Sequence, residues 1–321
     1  MKIGLDIGSH SIKIVCLKNG ILENYSIINL DLEKELEDRI SEGLKQLVGS
    51  FKFKKIPIAI GINGPDTIVK YITLPKMTED ELKEAMKFEI ETHIPLKKEE
   101  IYYDFHIFSE DAENIKVVIA SAKINIVQGI IKLLEKYKIR AKLLVPDSIA
   151  LLNSFIQCNP SEVNIALLNI GFQYSNLNII GIDGPFISRI LEFGSANFVN
   201  LISSEKNCSL NEADKILFND EEGKNFIYMG REIVDSFIDE ITSSITYYEV
   251  EKNQKIEKIY LSGGFSIKEI AELFKEKIGI EIFYFNPVER LKLTRSFPNL
   301  EEDKNRIVIA IGLAFTLGNT K

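Results

Sequence analysis

The residue types best suited to chemistry are gathered in the first thirteen positions of the chain. A carboxylate, a polar four-residue turn and a lysine follow one another there, as Asp6, Gly8, Ser9, His10, Ser11 and Lys13. A glycine-containing turn with converging N–H groups and hydroxyls is suited to a phosphate. The carboxylate could hold hydrated Mg²⁺, because that ion takes oxygen ligands and keeps several waters. A plain hairpin with a polar turn uses the same residue types and remains an alternative on this stretch alone.

Two later segments repeat the pattern of an apolar strand that runs into a glycine-containing turn. The first, near residue 170, repeats the Ile-Gly step of the opening turn, and the second precedes a predicted helix. Paired glycines between a strand and a helix let a flat ligand such as a purine come close, and a helix N-terminus favours a phosphate. Ordinary tight turns would use the same residues. The candidate contacts in these two turns are Asn169, Gly171, Gly263, Gly264 and Phe265.

Composition and charge exclude several classes of function. The chain has 39 lysine and arginine residues against 47 aspartate and glutamate residues, a net charge of −8, whereas nucleic-acid binding needs a clustered positive field. The 3 cysteines lack Cys-X-X-Cys spacing and the 3 histidines are scattered, so neither a disulfide scaffold nor a zinc site is expected. The chain begins directly with a strand, and its apolar run at 307–315 is about half a membrane span. These features predict a soluble cytoplasmic protein that does not bind nucleic acid.

The rest of the sequence predicts the strands and helices that position these turns. Strands between residues 21 and 74, with a helix that Asp31 would cap, are typical of an α/β unit. A helix–strand–strand–helix segment follows, up to residue 145, and predicts an inserted subdomain. The opening strand pattern then recurs at 163–191 and is followed by helices. Two such units indicate a duplicated, two-lobed protein with one ligand between its lobes.

The three turns, in this order and spacing, resemble the phosphate-one, phosphate-two and adenosine motifs of the actin-like ATPase superfamily. Within it, the chain is most similar to the PilM family, the cytoplasmic actin-like proteins of type IV pilus assembly. The similarity extends over nearly the whole length, through short motifs that are specific only together. They are Leu74-Pro75-Lys76-Met77, Ile94-Pro95, Tyr103-Asp104-Phe105, Val145-Pro146-Asp147-Ser148, Ser188-Arg189, Phe193-Gly194, Asn286-Pro287 and Ile311-Gly312-Leu313-Ala314.

The resemblance implies an α/β fold of the actin-like, ribonuclease-H-like class. Two lobes with duplicated βββαβα cores would enclose a nucleotide cleft, and the chain would carry an inserted subdomain of the FtsA and PilM type. The implied boundaries are 1–74 with 146–162 for the first lobe, 75–145 for the insert, 163–194 with 256–321 for the second lobe, and 195–255 for a helical subdomain over the nucleotide.

The resemblance also implies ligands and partners. ATP and Mg²⁺ would occupy the cleft, with Asp6 holding the metal, directly or through water. The partner would be the N-terminal cytoplasmic tail of a PilN-like inner-membrane protein, bound in a groove between the first lobe and the insert. By position, Ile94, Pro95 and Tyr103 would help to form that groove. The protein would then be peripheral at the inner membrane, where pilus assembly ATPases and further copies of the chain are additional candidate partners.

Two departures from the superfamily pattern bear on catalysis. The second phosphate motif usually begins with aspartate, whereas Asn169 brings no negative charge to a metal. The helix beside the adenosine usually carries a glutamate and a lysine one turn apart. The segment offers Glu212, Asp214 and Lys215, of which Glu212 and Lys215 are the candidates for nucleotide contacts, and Leu217 stands where the lysine is expected. The expectation is therefore ATP binding with weak or absent hydrolysis.

The leading interpretation is an adapter in which ATP sets the angle between the lobes, to the extent that it binds the open and closed states differently. An FtsA-like filament protein is an alternative, but it would carry an amphipathic anchor after the last helix, and the sequence shows none after the apolar helix at 306–317. A small-molecule kinase is another, and it would need a catalytic aspartate facing a substrate, for which only Asp6 and Asp183 are candidates.

Overall fold

The computed structural model describes residues 1–51, 53, 56–219 and 221–319, so the last two residues of the predicted second lobe lie outside it. The first half contains β1 (Lys2–Ile7), β2 (Ser11–Lys18), β3 (Ile21–Asn29), α1 (Leu36–Ser50), β4 (Ile58–Ile62), β5 (Thr67–Pro75), α2 (Glu79–His93), β6 (Ile101–Glu110), β7 (Asn114–Lys123), α3 (Ile124–Lys136), β8 (Leu143–Pro146) and α4 (Asp147–Cys158). The second half contains β9 (Ile165–Ile170), β10 (Ser175–Gly181), β11 (Gly184–Leu191), α5 (Ser195–Lys206), α6 (Leu210–Leu217), α7 (Glu222–Met229), α8 (Arg231–Lys252), β12 (Lys258–Ser262), α9 (Lys268–Ile278), β13 (Glu281–Tyr284), β14 (Lys292–Leu293), α10 (Leu300–Asp303) and α11 (Val308–Asn319).

Each lobe is built on a mixed sheet, and the two sheets share one topology. The first has the strand order β14-β3-β2-β1-β4-β8, and the second has the order β11-β10-β9-β12-β13. In both, a three-stranded antiparallel meander is followed by a strand parallel to its first strand. The register of the first sheet places Asp6 opposite Lys13, and that of the second places Asn169 beside Ser262. The duplication that the sequence predicts is therefore present in the sheets.

The insert has its own three-stranded sheet, in the order β5-β7-β6. Its first strand begins at Thr67, although the sequence placed residues up to 74 in the first lobe. Helix α3 lies within the expected insert range of 75–145, but it buries Leu134 in the apolar core of the first lobe. An amphipathic helix packs wherever its apolar face finds a core, and sequence spacing does not say which core that is.

Two helices carry apolar side chains across the junction of the lobes. Leu151 and Phe155 of α4, and Leu313 of α11, share one buried cluster with Ile165 and Leu167 of β9. Helix α11 consists of twelve residues, Val308–Asn319, and no helix among the described residues is long and apolar enough to cross a membrane. The shared cluster makes α4 and α11 the elements about which the lobes meet.

The loop between β3 and α1 differs from the sequence-based expectation. Asp31 was expected to cap the first helix, but α1 begins at Leu36. The carboxylate of Asp31 instead accepts hydrogen bonds from the N–H of Glu33 and from the side-chain amide of Asn211. A contact with the second lobe therefore replaces the local cap.

Candidate functional site

A cavity of about 650 Å³ lies between the lobes, at the ends of the strands that carry the three glycine turns. A cleft at this position in a two-lobed α/β protein is a usual place for a ligand. Most residues that the sequence proposed for a nucleotide line this cavity, namely Asp6, Gly8, Ser9, His10, Ser11, Lys13, Asn169, Gly171, Gly263 and Gly264.

The first turn places a charged pair at one end of the cavity. Asp6 ends β1 and faces Lys13 on β2, and Lys13 Nζ lies 3.1 Å from the Oδ2 of Asp6. The turn between them is closed by the N–H of Gly8, which donates to the carbonyl of Ser11 at 3.2 Å. A lysine and a tight polar turn at one place form a surface suited to phosphate oxygens.

A second carboxyl group in this region was not singled out from the sequence. Asp147 is the first residue of α4, is 7% exposed and lines the cavity, and its Oδ1 has no hydrogen-bond partner among the described residues. Burial raises the pKa of Asp147 well above its ordinary value, the charge of Asp6 raises it further, and Lys13 lowers it. Asp147 belongs to the Val145-Pro146-Asp147-Ser148 motif of the sequence, but only the tertiary structure shows that its carboxyl group lies near that of Asp6.

The second and third glycine turns meet at the strand ends of the second lobe. The side-chain amide of Asn169 donates to the Oγ of Ser262 at 3.0 Å, which ties β9 to β12. Gly263 has a φ of +99°, a conformation that disfavours other residues, and its N–H donates to the carbonyl of Asn305. A side chain at Gly264 would meet no atom within 4 Å and would occupy open space beside the cavity. The backbone here leaves room for a flat group.

Helix α6 presents a different face to the cavity from the one that the sequence proposed. Glu212 forms a capping box with Ser209 at the start of the helix, and Lys215 is exposed, so both lie outside the cavity. Asp214 and Phe218, which are one turn apart, line it instead. The capping box fixes the direction of Glu212, and the helical repeat then turns Asp214 and Phe218 towards the lobe junction.

Phe265 lies outside the cavity as well. Its ring is fully buried in the second-lobe core, next to Phe193 and Phe198. The backbone of the turn borders the cavity, whereas this side chain points the other way and anchors the turn to the core. Asp183, one of the two aspartates considered for a kinase, lies in the β10–β11 turn away from the cavity, where Lys116 Nζ donates to its carbonyl at 2.8 Å.

One side-chain contact crosses the cavity from lobe to lobe. His10 Nε2 lies 3.0 and 3.1 Å from the two carboxylate oxygens of Asp214. The imidazole also packs against the ring of Phe172, with a centroid distance of 5.1 Å. The phosphate-type turn of the first lobe is therefore joined directly to α6 of the second.

The residues proposed for a partner groove lie in the insert. Ile94 is 2% exposed and belongs to the core between α2 and the three-stranded sheet. Pro95 is exposed, and Tyr103 is partly buried against the same core. A separate cavity of about 240 Å³ lies where β5, the start of α4 and β11 meet, and it is lined in part by Thr67, Ser148 and Ile190.

The side chains around the larger cavity fit a nucleotide with Mg²⁺. Lys13 and the Gly8 turn suit phosphates, the open space beside Gly264 suits a base, and the unpartnered Asp147 Oδ1 with Asp6 suits a hydrated cation. Among the described residues, no group of three or more histidines, cysteines, aspartates or glutamates could hold a metal alone. Phosphate oxygens and water would have to complete the shell of Mg²⁺, as is usual for this ion.

Comparisons with known proteins agree with the fold described above. The family model described as type IV pilus assembly protein PilM matches residues 4–317. The chain is similar to a solved structure from a PilM–PilN type IV pilus biogenesis complex, with a TM-score of 0.85 and 21% identity over 98% of each chain. It is also similar to the ethanolamine utilization protein EutJ from Carboxydothermus hydrogenoformans, with a TM-score of 0.59 and 10% identity over 98% of this chain and 89% of that one. Together with the duplicated sheets, these matches confirm the predicted α/β actin-like ATPase fold.

Proposed function

Because this chain belongs to the PilM family of type IV pilus assembly proteins, we propose that it is a cytoplasmic actin-like component of the pilus inner-membrane platform. It binds ATP with Mg²⁺ between its lobes and docks on the N-terminal cytoplasmic tail of a PilN-like membrane protein. The observation that carries the nucleotide part is the convergence of the three glycine turns on one cavity of about 650 Å³.

The phosphate end of the nucleotide site is assigned to the first lobe. Lys13 and the turn from Gly8 to Ser11 would hold phosphate oxygens, and Asp6 and Asp147 would face a hydrated Mg²⁺. Bound Mg²⁺ would neutralise phosphate charge there. The pairing of Lys13 with Asp6 keeps both side chains at the strand ends, where the phosphates would arrive.

The nucleoside end is assigned to the second lobe. The open space at Gly264 would accept the base, the exposed ring of Phe218 would stack on it, and the carboxylate of Asp214 would accept a ribose hydroxyl. Asp214 of α6 and Phe218, which follows the helix directly, would take the roles that the resemblance implies for Glu212 and Lys215. Asn169 places a neutral amide beside the phosphates, so hydrolysis is expected to be weak.

The partner assignment is supported by family membership and by the similar PilM chain, which was solved in a complex named for PilM and PilN. A tail that docks between the first lobe and the insert would contact Pro95 and Tyr103, which are accessible, while Ile94 supports them from the core. Attachment to the membrane would then depend on the partner.

Calorimetric titration with Mg-ATP, followed by a phosphate-release assay on the same sample, tests the nucleotide assignment. We expect micromolar binding with little release. Absence of binding would overturn the nucleotide role and leave tail docking as the whole function. Rapid release without an added substrate would instead contradict the adapter interpretation.

Titration with a synthetic peptide of the PilN-like tail tests the partner assignment. Tyr102 and Tyr103 are neighbours on β6 and point to opposite faces of the strand, so Tyr102→Ala is a matched control for Tyr103→Ala. We expect Tyr103→Ala to weaken peptide binding at least tenfold and Tyr102→Ala to leave it unchanged. Equal effects of the two substitutions would contradict the assigned groove.

A further inference from the structure

The loop between β3 and α1 is tied to the second lobe by three hydrogen bonds to one residue, Asn211. The N–H of Leu32 donates to the Oδ1 of Asn211 at 3.0 Å, and the Nδ2 of Asn211 donates to the Oδ1 of Asp31 at 2.6 Å. The N–H of Asn211 donates in turn to the Oε1 of Glu33 at 2.9 Å. We call residues 31–33 together with Asn211 the clasp.

An apolar anchor accompanies these hydrogen bonds. Leu32 belongs to the first-lobe loop but is only 4% exposed, and it joins the buried cluster of the second lobe that includes Ala213 and Leu217 of α6. If the lobes separate at this point, the side chain of Leu32 must leave the core of the second lobe and become exposed to water. The clasp is therefore a closed contact in this structure.

The clasp lies on the rim of the interlobe cavity. Asn29 and Leu36, which bracket the loop in sequence, both line the cavity, and so does Asp214, one turn after Asn211 on α6. The contact between His10 and Asp214 joins the lobes about one helical turn along α6 from Asn211. A ligand that enters between the loop and α6 would have to open the clasp.

We propose that the clasp is a gate that controls the rates at which a nucleotide enters and leaves the cavity. The inference rests on the proposed nucleotide function and adds a regulation of that site. Opening the gate breaks the three hydrogen bonds and exposes Leu32, so the open state is a minor population. Nucleotide binding requires that open state. Because none of the clasp residues lines the cavity, weakening the clasp raises both rates together and changes the dissociation constant less than either rate.

Stopped-flow fluorescence with N-methylanthraniloyl-ATP tests the gate. Asn211→Ala removes two of the three clasp bonds, and Ser209→Ala removes a cap from the same helix without touching the loop. We expect Asn211→Ala to raise association and dissociation rates on the order of tenfold each, which is ~1.4 kcal/mol, and Ser209→Ala to leave both within about twofold. Unchanged rates for Asn211→Ala, or equal acceleration by Ser209→Ala, would overturn the gate.

Hydrogen exchange of the nucleotide-free protein tests the clasp without any ligand. Asn211→Ala should accelerate exchange across residues 30–35, where the amide of Leu32 loses its acceptor, and across α6, whereas Ser209→Ala should affect α6 alone. Unchanged exchange at 30–35 in Asn211→Ala would overturn the clasp while leaving the nucleotide role intact. Failure of the wild-type protein to bind N-methylanthraniloyl-ATP would instead overturn the nucleotide role and, with it, the gate.

Discussion

Asp147 combines burial, an unpartnered oxygen and proximity to another carboxylate in one residue. Such a group opposes folding unless it is protonated or meets a cation. We expect Asp147→Asn to raise the free energy of unfolding of the nucleotide-free protein by about 1 kcal/mol at pH 7, as measured by urea denaturation. Asp183→Asn, which changes an exposed carboxylate outside the cavity, is the control and should have little effect.

The difference in unfolding free energy between Asp147→Asn and the wild-type protein should change with pH in one direction. Because the pKa of Asp147 is raised in the folded chain, the folded state binds the proton more tightly than the unfolded state, in which the ordinary value is 3.8. The stability linked to the protonated carboxyl is complete below that value and is lost as pH rises towards the folded-state pKa. The advantage of Asp147→Asn should therefore grow from about pH 4 upward. An advantage that shrinks with rising pH would contradict the raised pKa.

In the proposed nucleotide site, Asn169 is the residue expected to limit hydrolysis. Its amide is buried and donates to Ser262, whose hydroxyl could donate to a carboxylate at the same place. We expect Asn169→Asp to keep ATP binding and to raise phosphate release about tenfold or more, since a charged oxygen would be restored beside Mg²⁺. Asn169→Ala provides no carboxylate and should show no gain. Equal release by the two variants would show that this charge is not what limits turnover.

The orientation of α6 supports the nucleoside contacts proposed for Asp214 and Phe218. Phe218 is 45% exposed at the cavity and Lys215 points elsewhere, although both belong to the same helical segment. We expect Phe218→Ala to weaken ATP binding about 10- to 100-fold, since loss of an aromatic stack on a base costs about 1–3 kcal/mol. Lys215→Ala should leave the affinity nearly unchanged in the same calorimetric titration. If Lys215→Ala weakened ATP binding more than Phe218→Ala, the contact predicted from the sequence would be favoured instead.

At the scale of the whole molecule, the insert is held to the second lobe as well as to the first. Lys116 of β7 donates to the carbonyl of Asp183, and the ring of Phe108 lies against Gly184 in the same turn. A change in the angle between the lobes must therefore act on the insert, where the tail groove is proposed. This contact offers a physical route from the proposed nucleotide cavity to the proposed partner groove.

The backbone of that turn can be tested at Gly184, because its φ of +103° is a conformation that L side chains rarely adopt, whereas a Cβ there would only touch the ring of Phe108, at 3.4 Å. We expect Gly184→Ala to lower the free energy of unfolding by about 1–2 kcal/mol in urea denaturation. Gly129→Ala is the matched control, since Gly129 lies inside α3 with open space around its Cβ position, and it should stabilise by about 0.5–1 kcal/mol. Two shifts of the same sign would argue against a strained turn at Gly184.

Most strands and helices, and the three glycine turns, could be predicted from the sequence alone. Alternating apolar residues on both sides of Gly8 predict the opening hairpin, and the structure has that hairpin with Asp6 opposite Lys13. The repeat at Asn169 and Gly171 predicts the duplication, which the two sheets share. These inferences succeed because each depends on neighbours in sequence, where periodicity and turn chemistry act directly.

Only the tertiary structure decided which side chains meet across the lobes. Nothing local marks Leu32 as part of the core of the other lobe, or Asp147 as a neighbour of Asp6. Glu212 forms a capping box with Ser209, but whether Asp214 and Phe218 then face the cavity depends on where α6 is packed. Contacts between residues that are distant in sequence depend on which faces of the helices and strands are buried together. The spacing of residues along the chain does not show this.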